Sequence, residues 1–238
     1  MDPTPLSAFQ TLYPVRLAQS PPMTDDERIT RGMKGQLGDR RRAIARDDRG
    51  LGWKLGFGTE AAMQKLGIDA PLVGYLLESA RLESGAVVDI SNWGNARLEP
   101  EIVARVGEDG GIAAIGAAIE LVDPDPSASD PEAILETDIF QRYVMLGPVT
   151  EGASVADVTL RLYVNGEEVA ATDDVTEATG ELDGLVAHVA KTLEAAGESL
   201  ERADMVICGS IVPALAVAPG DEVEVRLDPL GRLAVSFE

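Results

Sequence analysis

The sequence contains very little of three residue types on which many enzymes depend. Its 238 residues include one cysteine, one histidine and only 4% aromatic residues. The single cysteine, Cys208, excludes an internal disulfide and suits a reducing cytoplasm. With one histidine and one cysteine, the chain also lacks the usual nitrogen and sulfur ligands of a zinc site.

Long apolar runs and positive charge are scarce as well. No apolar run approaches the length of a membrane-spanning helix. Residues 1–22 have neither an early basic cluster nor an apolar centre, so we expect no secretory signal. Lys and Arg number 20 against 41 Asp and Glu, which gives a net charge of −21. Because such a surface repels phosphate groups, we expect no nucleic-acid or membrane partner. The single cysteine leads us to expect a cytoplasmic protein.

The chain is long and apolar enough to bury a substantial core, since 45% of its residues are hydrophobic. We divide it into an N-terminal arm and helical segment over residues 1–50 and a catalytic domain over residues 51–238. Thr24 and Glu27 fit a capping box that opens a helix running to about Arg46. Glycines inside this segment weaken the helix prediction, because glycine disfavours helix interiors.

Strand-like segments dominate the rest of the chain, and the pattern predicts an α+β fold rather than alternating strands and helices. Asn165-Gly166, between two β-prone runs, predicts a tight hairpin. Residues 124–138 are proline-rich and acidic, and we expect a loop there. Apolar spacing predicts a helix from about Leu182 to a stop at Gly197. The other predicted strands cover residues 51–58, 86–90, 97–107, 112–123, 142–149 and three segments after residue 203, although the alanines of 112–123 also permit a helix.

The most informative stretch contains two glutamates, Glu99 and Glu101, separated by Pro100. Side chains alternate between the faces of a strand, so both carboxylates point the same way and repel each other. A cation or a shared proton can compensate that repulsion. Because proline cannot donate to a β-ladder, the segment is expected at a sheet edge or at a bulge. The spacing alone also fits the solvated face of an edge strand.

A hard cation such as Mg²⁺ or Mn²⁺ needs further oxygen ligands. Glu120, flanked by apolar residues, is the third candidate, and Asp123 is a spare. Lys54 lies among glycines that permit close backbone approach to a ligand. It could bind a substrate carboxylate or transfer a proton, but the pattern alone favours a strand-edge lysine that reaches water. His188 and Cys208 fit packing roles.

Several segments together resemble the fumarylacetoacetate hydrolase superfamily, in particular its 2-keto-4-pentenoate hydratase and 4-oxalocrotonate decarboxylase branch. They are GWKLGFGTEAAMQKLGIDAPLVGYL (52–76), LEPEIVARV (98–106), AAIELVD (117–123) and the tail from about residue 182. The resemblance implies a mixed β-roll with peripheral helices. It implies Mg²⁺ or Mn²⁺ on Glu99, Glu101 and Glu120, with Lys54 in the active site and Ser210 bordering the substrate. It also implies a homo-oligomer or a complex with a homologous subunit.

The implied activity is that of a metal-dependent lyase acting on small 2-oxo acids, chiefly a 2-keto-4-pentenoate hydratase. A 4-oxalocrotonate decarboxylase, a C–C hydrolase and a non-catalytic partner subunit stay open. Pro71-Leu72-Val73-Gly74 stands where many hydratases carry P-D-F-G, which leans toward decarboxylation. The segment between Glu101 and Glu120 is shorter than usual, which could displace Glu120 or make Asp123 the ligand. Asp138 is a further match to an acidic position of the family.

Overall fold

Residues 26–238 are described by a computed structural model. Within them the chain forms four α-helices and twelve β-strands, together with two short 3₁₀ turns at Glu78–Ala80 and Val155–Asp157. The helices are α1 (Glu27–Ile44), α2 (Glu60–Leu66), α3 (Pro131–Glu136) and α4 (Leu182–Ala195). The strands are β1 (Gly50–Gly56), β2 (Leu72–Leu77), β3 (Ala86–Val88), β4 (Arg97–Val106), β5 (Ile112–Val122), β6 (Gln141–Glu151), β7 (Thr159–Val164), β8 (Glu167–Thr172), β9 (Met205–Ser210), β10 (Leu215–Ala216), β11 (Glu222–Asp228) and β12 (Gly231–Phe237).

Two sheets form the body of the fold. The larger has the order β2-β1-β9-β4-β5-β6, with β10 also paired to β4, and the smaller has the order β3-β12-β11-β7-β8. Most neighbouring strands are antiparallel, but β1 and β9 run parallel, as do β12 and β3. The predicted α+β class with mixed sheets and peripheral helices is therefore confirmed.

The two faces of the larger sheet have different neighbours. On one face β5 and β6 lie against β12 of the smaller sheet, and β5 also lies against β11. Buried apolar side chains of these strands belong to the main hydrophobic core, which helices and other strands complete. The opposite face carries a small separate group of buried apolar residues. Its members are Leu76, Val103, Ala118, Val144 and Ile207. Because strand residues alternate in direction, this second face also carries Glu99, Glu101 and Glu120.

Local sequence signals place several elements as predicted. Asn165 and Gly166 both have positive φ (52° and 83°), the geometry of a type I′ turn between β7 and β8. Thr59 caps α2 by accepting a hydrogen bond from the Ala62 amide, and Gly67 ends that helix in the left-handed region. Within the predicted strand 112–123, Ile112–Val122 form a strand, and the alanines do not make a helix.

Three expectations need correction. The predicted loop 124–138 contains α3, which Asp130 caps and Pro131 opens, both ordinary helix-start signals. Helix α1 is capped by Asp26 and not by the predicted Thr24, which lies outside the described residues. Strand β4 is central rather than at an edge, so the bulge alternative for Pro100 holds, since the register with β9 shifts just after it. The two-residue strand β10 had no sequence signal.

Helix α1 packs on α3 and β2 rather than standing apart from the sheet domain. The division at residue 50 stays a prediction. Among the described residues, no helix combines the length and the apolar character that crossing a membrane would need.

Glycine in α1 provides a test of this packing. A Cβ at Gly32 would lie 2.8 Å from the Leu135 side chain and 3.0 Å from the Glu132 carbonyl oxygen, both in α3. We expect Gly32→Ala to destabilise the protein by about 1–3 kcal/mol, because overpacking outweighs the gain in helix propensity. Urea unfolding measures the change.

The matched control is Gly38→Ala in the same helix, where a Cβ would meet only the mobile Arg42 guanidinium at 3.4 Å. Here we expect a gain of up to about 1 kcal/mol from helix propensity alone. Equal effects of the two substitutions would contradict the proposed contact between α1 and α3.

Candidate metal centre

Three glutamates converge on one face of the larger sheet. Strands β4 and β5 are antiparallel neighbours, and their register places Glu99 directly opposite Glu120. Glu101 lies two residues further along β4 and therefore on the same face. One carboxylate oxygen from each residue lies within 4.8 Å of the others. The structure thus brings together the three residues that the sequence singled out as metal ligands.

The environment of this cluster is poorly suited to bare negative charge. Glu101 has no exposed surface and Glu120 is 2% exposed, whereas Glu99 lines a cavity. One Glu101 oxygen accepts a hydrogen bond of 2.7 Å from the Gly209 amide. Its other oxygen, Oε1, is buried and has no hydrogen-bond partner among the described residues. An unpartnered buried carboxylate oxygen is costly, and a divalent cation would compensate it.

Burial and mutual repulsion change the proton affinity of the cluster. Burial raises the pKa of Glu99 to about 7, and the neighbouring Glu120 carboxylate adds to the rise. The pKa of Glu101 lies well above its ordinary value for the same two reasons. Without a cation, both carboxyls keep their protons to a higher pH than an ordinary glutamate does. The donor set, all carboxylate oxygens, therefore fits a hard divalent metal ion.

Lys54 is a buried cation beside the cluster. Its side chain is 1% exposed and forms an ion pair with Glu120, and its Nζ lies 3.4 Å from the Ile139 carbonyl oxygen. Burial disfavours the ammonium, but Glu120 and Asp138 outweigh that effect and raise the pKa of Lys54. The residue is therefore an ammonium ion in this state. It is not the exposed strand-edge lysine that the sequence pattern also allowed.

The adjacent strand leaves room for Lys54 only because residue 74 is glycine. Gly74 pairs with Lys54 across β1 and β2. A Cβ there would lie 2.7 Å from both the Lys54 Cε atom and the Asp138 Oδ1 atom. Because a side chain at this position would clash with Lys54 and Asp138, the glycine of the Pro71–Gly74 segment has a direct steric role at the site.

An unusual turn supplies the next part of the site. Asp138, Ile139 and Phe140 all have positive φ, at 52°, 54° and 63°. Three successive non-glycine residues in this region store conformational strain, which is common at functional sites. Asp138 accepts a 2.9 Å hydrogen bond from the Tyr75 amide. Burial raises the pKa of Asp138 to about 7, although the Lys54 ammonium opposes the rise.

A cavity of about 430 Å³ opens onto these groups. Lys54, Glu99, Glu120 and Ser210 line it. The Ser210 hydroxyl donates a 2.7 Å hydrogen bond to the Val212 carbonyl. Ser210 also pairs with Glu101 across β9 and β4, so it borders the cluster from the neighbouring strand.

The remaining candidates lie outside the cluster. Asp123, the spare ligand, accepts hydrogen bonds from the Asn95 amide and from Arg142. The short segment before Glu120 is a tight turn between β4 and β5, and it leaves Glu120 in register instead of displacing it.

His188 Nε2 lies 2.9 Å from the Pro71 carbonyl and does not line the cavity. Burial raises the pKa of Cys208, which favours an inert thiol.

The sequence does not indicate the residues that act at the site through their backbone atoms or backbone conformation. Gly209 holds Glu101 through its amide, and its φ of 93° is one that favours glycine. The Gly-Ser pair at the end of a strand was visible, but nothing local linked it to Glu101. Similarly, no residue type in 138–140 announces a left-handed turn. Of these three residues, the sequence indicates only Asp138, through the family resemblance.

The comparisons with known proteins agree with this geometry. The chain belongs to the fumarylacetoacetate hydrolase family: the family model described as fumarylacetoacetate (FAA) hydrolase C-terminal matches residues 57–238. A 4-oxalocrotonate decarboxylase of Pseudomonas putida is 28% identical over 83% of this chain and 81% of its own length. A 2-keto-4-pentenoate hydratase of Paraburkholderia xenovorans (strain LB400) is 23% identical over 97% of this chain and 94% of its own.

A solved structure extends the likeness to the fold. It is a 4-oxalocrotonate decarboxylase from Pseudomonas putida G7 complexed with magnesium and adipate. The TM-score is 0.77 at 23% identity, over 87% of this chain and 85% of that one. The expected family and the expected β-roll are both confirmed.

The raised pKa values lead to a prediction about metal and pH. The pKa of Glu99 is about 7 in the folded chain against an ordinary 4.5, so its contribution to stability is fully present below pH 4.5 and is lost as pH rises through 7. A cation replaces the lost proton. We therefore expect Mn²⁺ to raise the thermal midpoint more at pH 8 than at pH 5.5, as measured by differential scanning calorimetry.

The control is Glu167→Gln, which removes one exposed carboxylate on β8 in the other sheet and should leave the Mn²⁺ effect unchanged. Equal Mn²⁺ shifts at the two pH values would contradict the assignment of these carboxyls as ligands.

Proposed function

We propose that the chain is a divalent-metal-dependent lyase acting on small 2-oxo acids, of the 2-keto-4-pentenoate hydratase type. The observation that carries the proposal is the buried carboxylate cluster with an unpartnered Glu101 oxygen, next to a buried ammonium and an open cavity. Family membership and the hydratase and decarboxylase relatives support the same conclusion.

Glu99, Glu101 and Glu120 would hold Mg²⁺ or Mn²⁺, both of which favour carboxylate oxygens. When bound, the ion would supply Lewis-acid stabilisation of the negative charge that develops on the substrate's 2-oxo oxygen. The chain's contribution is to fix the ligands. Gly209 orients Glu101 by its amide, and the pairing of β4 with β5 sets the spacing between Glu99 and Glu120.

Lys54 would act on the substrate as a fixed ammonium. Its raised pKa means that it carries a proton at neutral pH, so it suits binding of a carboxylate or donation of a proton, and not the role of a general base. Asp138 and the Ile139 carbonyl restrict where the ammonium can move. An ammonium held beside the carboxylates would protonate the substrate carbon on which negative charge develops.

The aromatic residues of the cavity would limit access of water. Phe57 and Phe140 meet edge to face, with their ring centroids 6.4 Å apart, and both line the cavity. A less polar cavity strengthens the electrostatic effect of Lys54 and of the cluster. Hydration requires one water molecule to reach the conjugated carbon, so the apolar wall must admit water selectively.

Decarboxylation is the second candidate. Its support is the higher identity to a 4-oxalocrotonate decarboxylase and the Pro71-Leu72-Val73-Gly74 segment, which lacks an acidic residue. Both reactions need the same stabilised enolate, so the metal centre is common to them. A C–C hydrolase with a histidine base is disfavoured because His188 does not line the cavity. A non-catalytic subunit is disfavoured by the in-register Glu120.

The cysteine content and the family resemblance bear on the cellular setting. We propose a cytoplasmic protein, which the single buried cysteine suits. We also propose a homo-oligomer, or a complex with a homologous hydratase or decarboxylase subunit, on the basis of the family resemblance. Sedimentation velocity on the purified protein tests the oligomer, and a monomer at micromolar concentration would contradict it.

An activity assay tests the metal-dependent lyase directly. Purified protein is given 2-hydroxypenta-2,4-dienoate or 2-oxohex-3-enedioate with Mg²⁺ or Mn²⁺, with and without chelator. We expect turnover of at least one substrate that is abolished by chelation. Glu101→Gln should lower kcat/KM by more than about 100-fold, because loss of even an indirect metal contact costs 10–100-fold. Glu167→Gln is the matched control and should keep full activity, whereas activity that survives complete chelation would reject the proposal.

Substitution of Lys54 separates catalysis from metal binding. We expect Lys54→Met to lower kcat by about 10²–10⁴-fold, the range typical of a lost proton-transfer group. Mn²⁺ affinity, measured by isothermal titration calorimetry, should stay the same or rise because Glu120 is released from its ion pair. Wild-type turnover in this variant would reject a catalytic role for Lys54.

A further inference from the structure

The charges that line the cavity are confined to its floor. Among residues 26–238, the only charged side chains lining it are Lys54, Glu99 and Glu120. All three belong to strands of the larger sheet. The walls come from α2, α4 and the connecting loops, and no arginine, second lysine or histidine from the described part of the chain lines them.

The walls are apolar. Their larger side chains belong to Phe57, Phe140, Leu185 and Val212, with Ala62 from α2 beside them. The hydroxyls of Ser210 and Thr179 already donate hydrogen bonds within the protein. Ser210 donates to the Val212 carbonyl, and Thr179 donates to the Gly180 carbonyl. The Thr59 hydroxyl accepts the capping bond of α2, which leaves its own proton as the one hydroxyl donor on these walls. The walls therefore offer apolar contact and few donors for an anion.

The one cation at the floor is already balanced by nearby anions. Lys54 is paired with Glu120, and Asp138 lies close enough to influence its charge. Arg142, a cation outside the cavity, is engaged by Asp123. Within residues 26–238, a second carboxylate at the far end of a bound substrate would thus meet apolar walls and no counterion. Burying an ion without a partner is strongly unfavourable.

We propose that this site selects 2-oxo acids with a single carboxylate and an apolar tail, and that it discriminates against dicarboxylates. The proposal rests on the proposed function, because the 2-oxo acid end is taken to bind at the metal centre. It places the specificity in the walls formed by Phe57, Phe140, Leu185 and Ala62. This differs from what the decarboxylase relatives alone would suggest, since one of their solved structures holds adipate, a dicarboxylate.

The test uses two unreactive ligands that differ only at the distal carbon. They are 2-oxohexanoate, which ends in a methyl group, and 2-oxoadipate, which ends in a carboxylate. Binding to Mn²⁺-loaded protein is measured by isothermal titration calorimetry. We expect 2-oxohexanoate to bind at least about tenfold more tightly, a difference of about 1.4 kcal/mol.

The outcomes distinguish the two hypotheses. Equal or tighter binding of 2-oxoadipate overturns the specificity proposal and leaves the metal-dependent lyase intact. If neither ligand binds more tightly with Mn²⁺ than without it, the proposed function fails and the specificity proposal fails with it.

An introduced cation tests the location of the specificity. We expect Ala62→Lys to shift the binding ratio toward 2-oxoadipate by about tenfold or more, because it supplies a counterion at the wall. Leu185→Lys, on α4, is the second variant in case the first misfolds, and the Mn²⁺ thermal shift reports folding of both. Val169→Lys, at an exposed site on β8, adds the same charge and should leave the ratio unchanged. A ratio unmoved by either wall variant overturns the assignment.

Discussion

Placing three carboxylates on one face of two paired strands creates a repulsion that the surrounding protein must balance. Glu99 and Glu120 are direct cross-strand neighbours, and Glu101 is the next residue on the same face. Like charges in this arrangement are destabilising even at a sheet surface, and here two of the three residues are buried. The ways to balance them are protons, the Lys54 ammonium and a cation. Protonation is reflected in the raised pKa values of Glu99 and Glu101. The contribution of the ammonium is the ion pair between Lys54 and Glu120.

Much of the architecture near the cluster serves to hold these groups. Gly74 leaves the volume that the Lys54 side chain occupies, and Gly209 adopts a positive φ while its amide holds Glu101. The left-handed turn at 138–140 directs a carbonyl toward Lys54 and an aromatic ring into the cavity. Such strain persists only where the surrounding packing determines it. Each feature is local, but together they fix the relative positions of one cation and four carboxyls.

The sequence revealed what depends on side-chain type and missed what depends on backbone geometry. Strand periodicity placed Glu99 and Glu101 on one face, and the Asn165-Gly166 turn and the caps of α2 were readable from single residues. The convergence of Lys54 with Glu120 was not readable from single residues, because the two residues lie 66 positions apart in the chain. The central position of β4 was also beyond local pattern, since Pro100 normally indicates an edge. Here its missing donor falls where β4 passes from β10 to β9, so no ladder bond is lost.

Charge also links the metal centre to the choice of substrate. Three glutamates and Asp138 surround one ammonium, so even with a divalent cation the negative groups outnumber the positive ones unless a proton is retained. The pKa of Asp138, raised to about 7, indicates where such a proton can be kept. A substrate with one carboxylate adds a single negative charge, which Lys54 and the cation can share. A second carboxylate would enter a region already negative and would lie against apolar walls, so the same repulsion that makes a cation necessary also argues against a dianionic ligand.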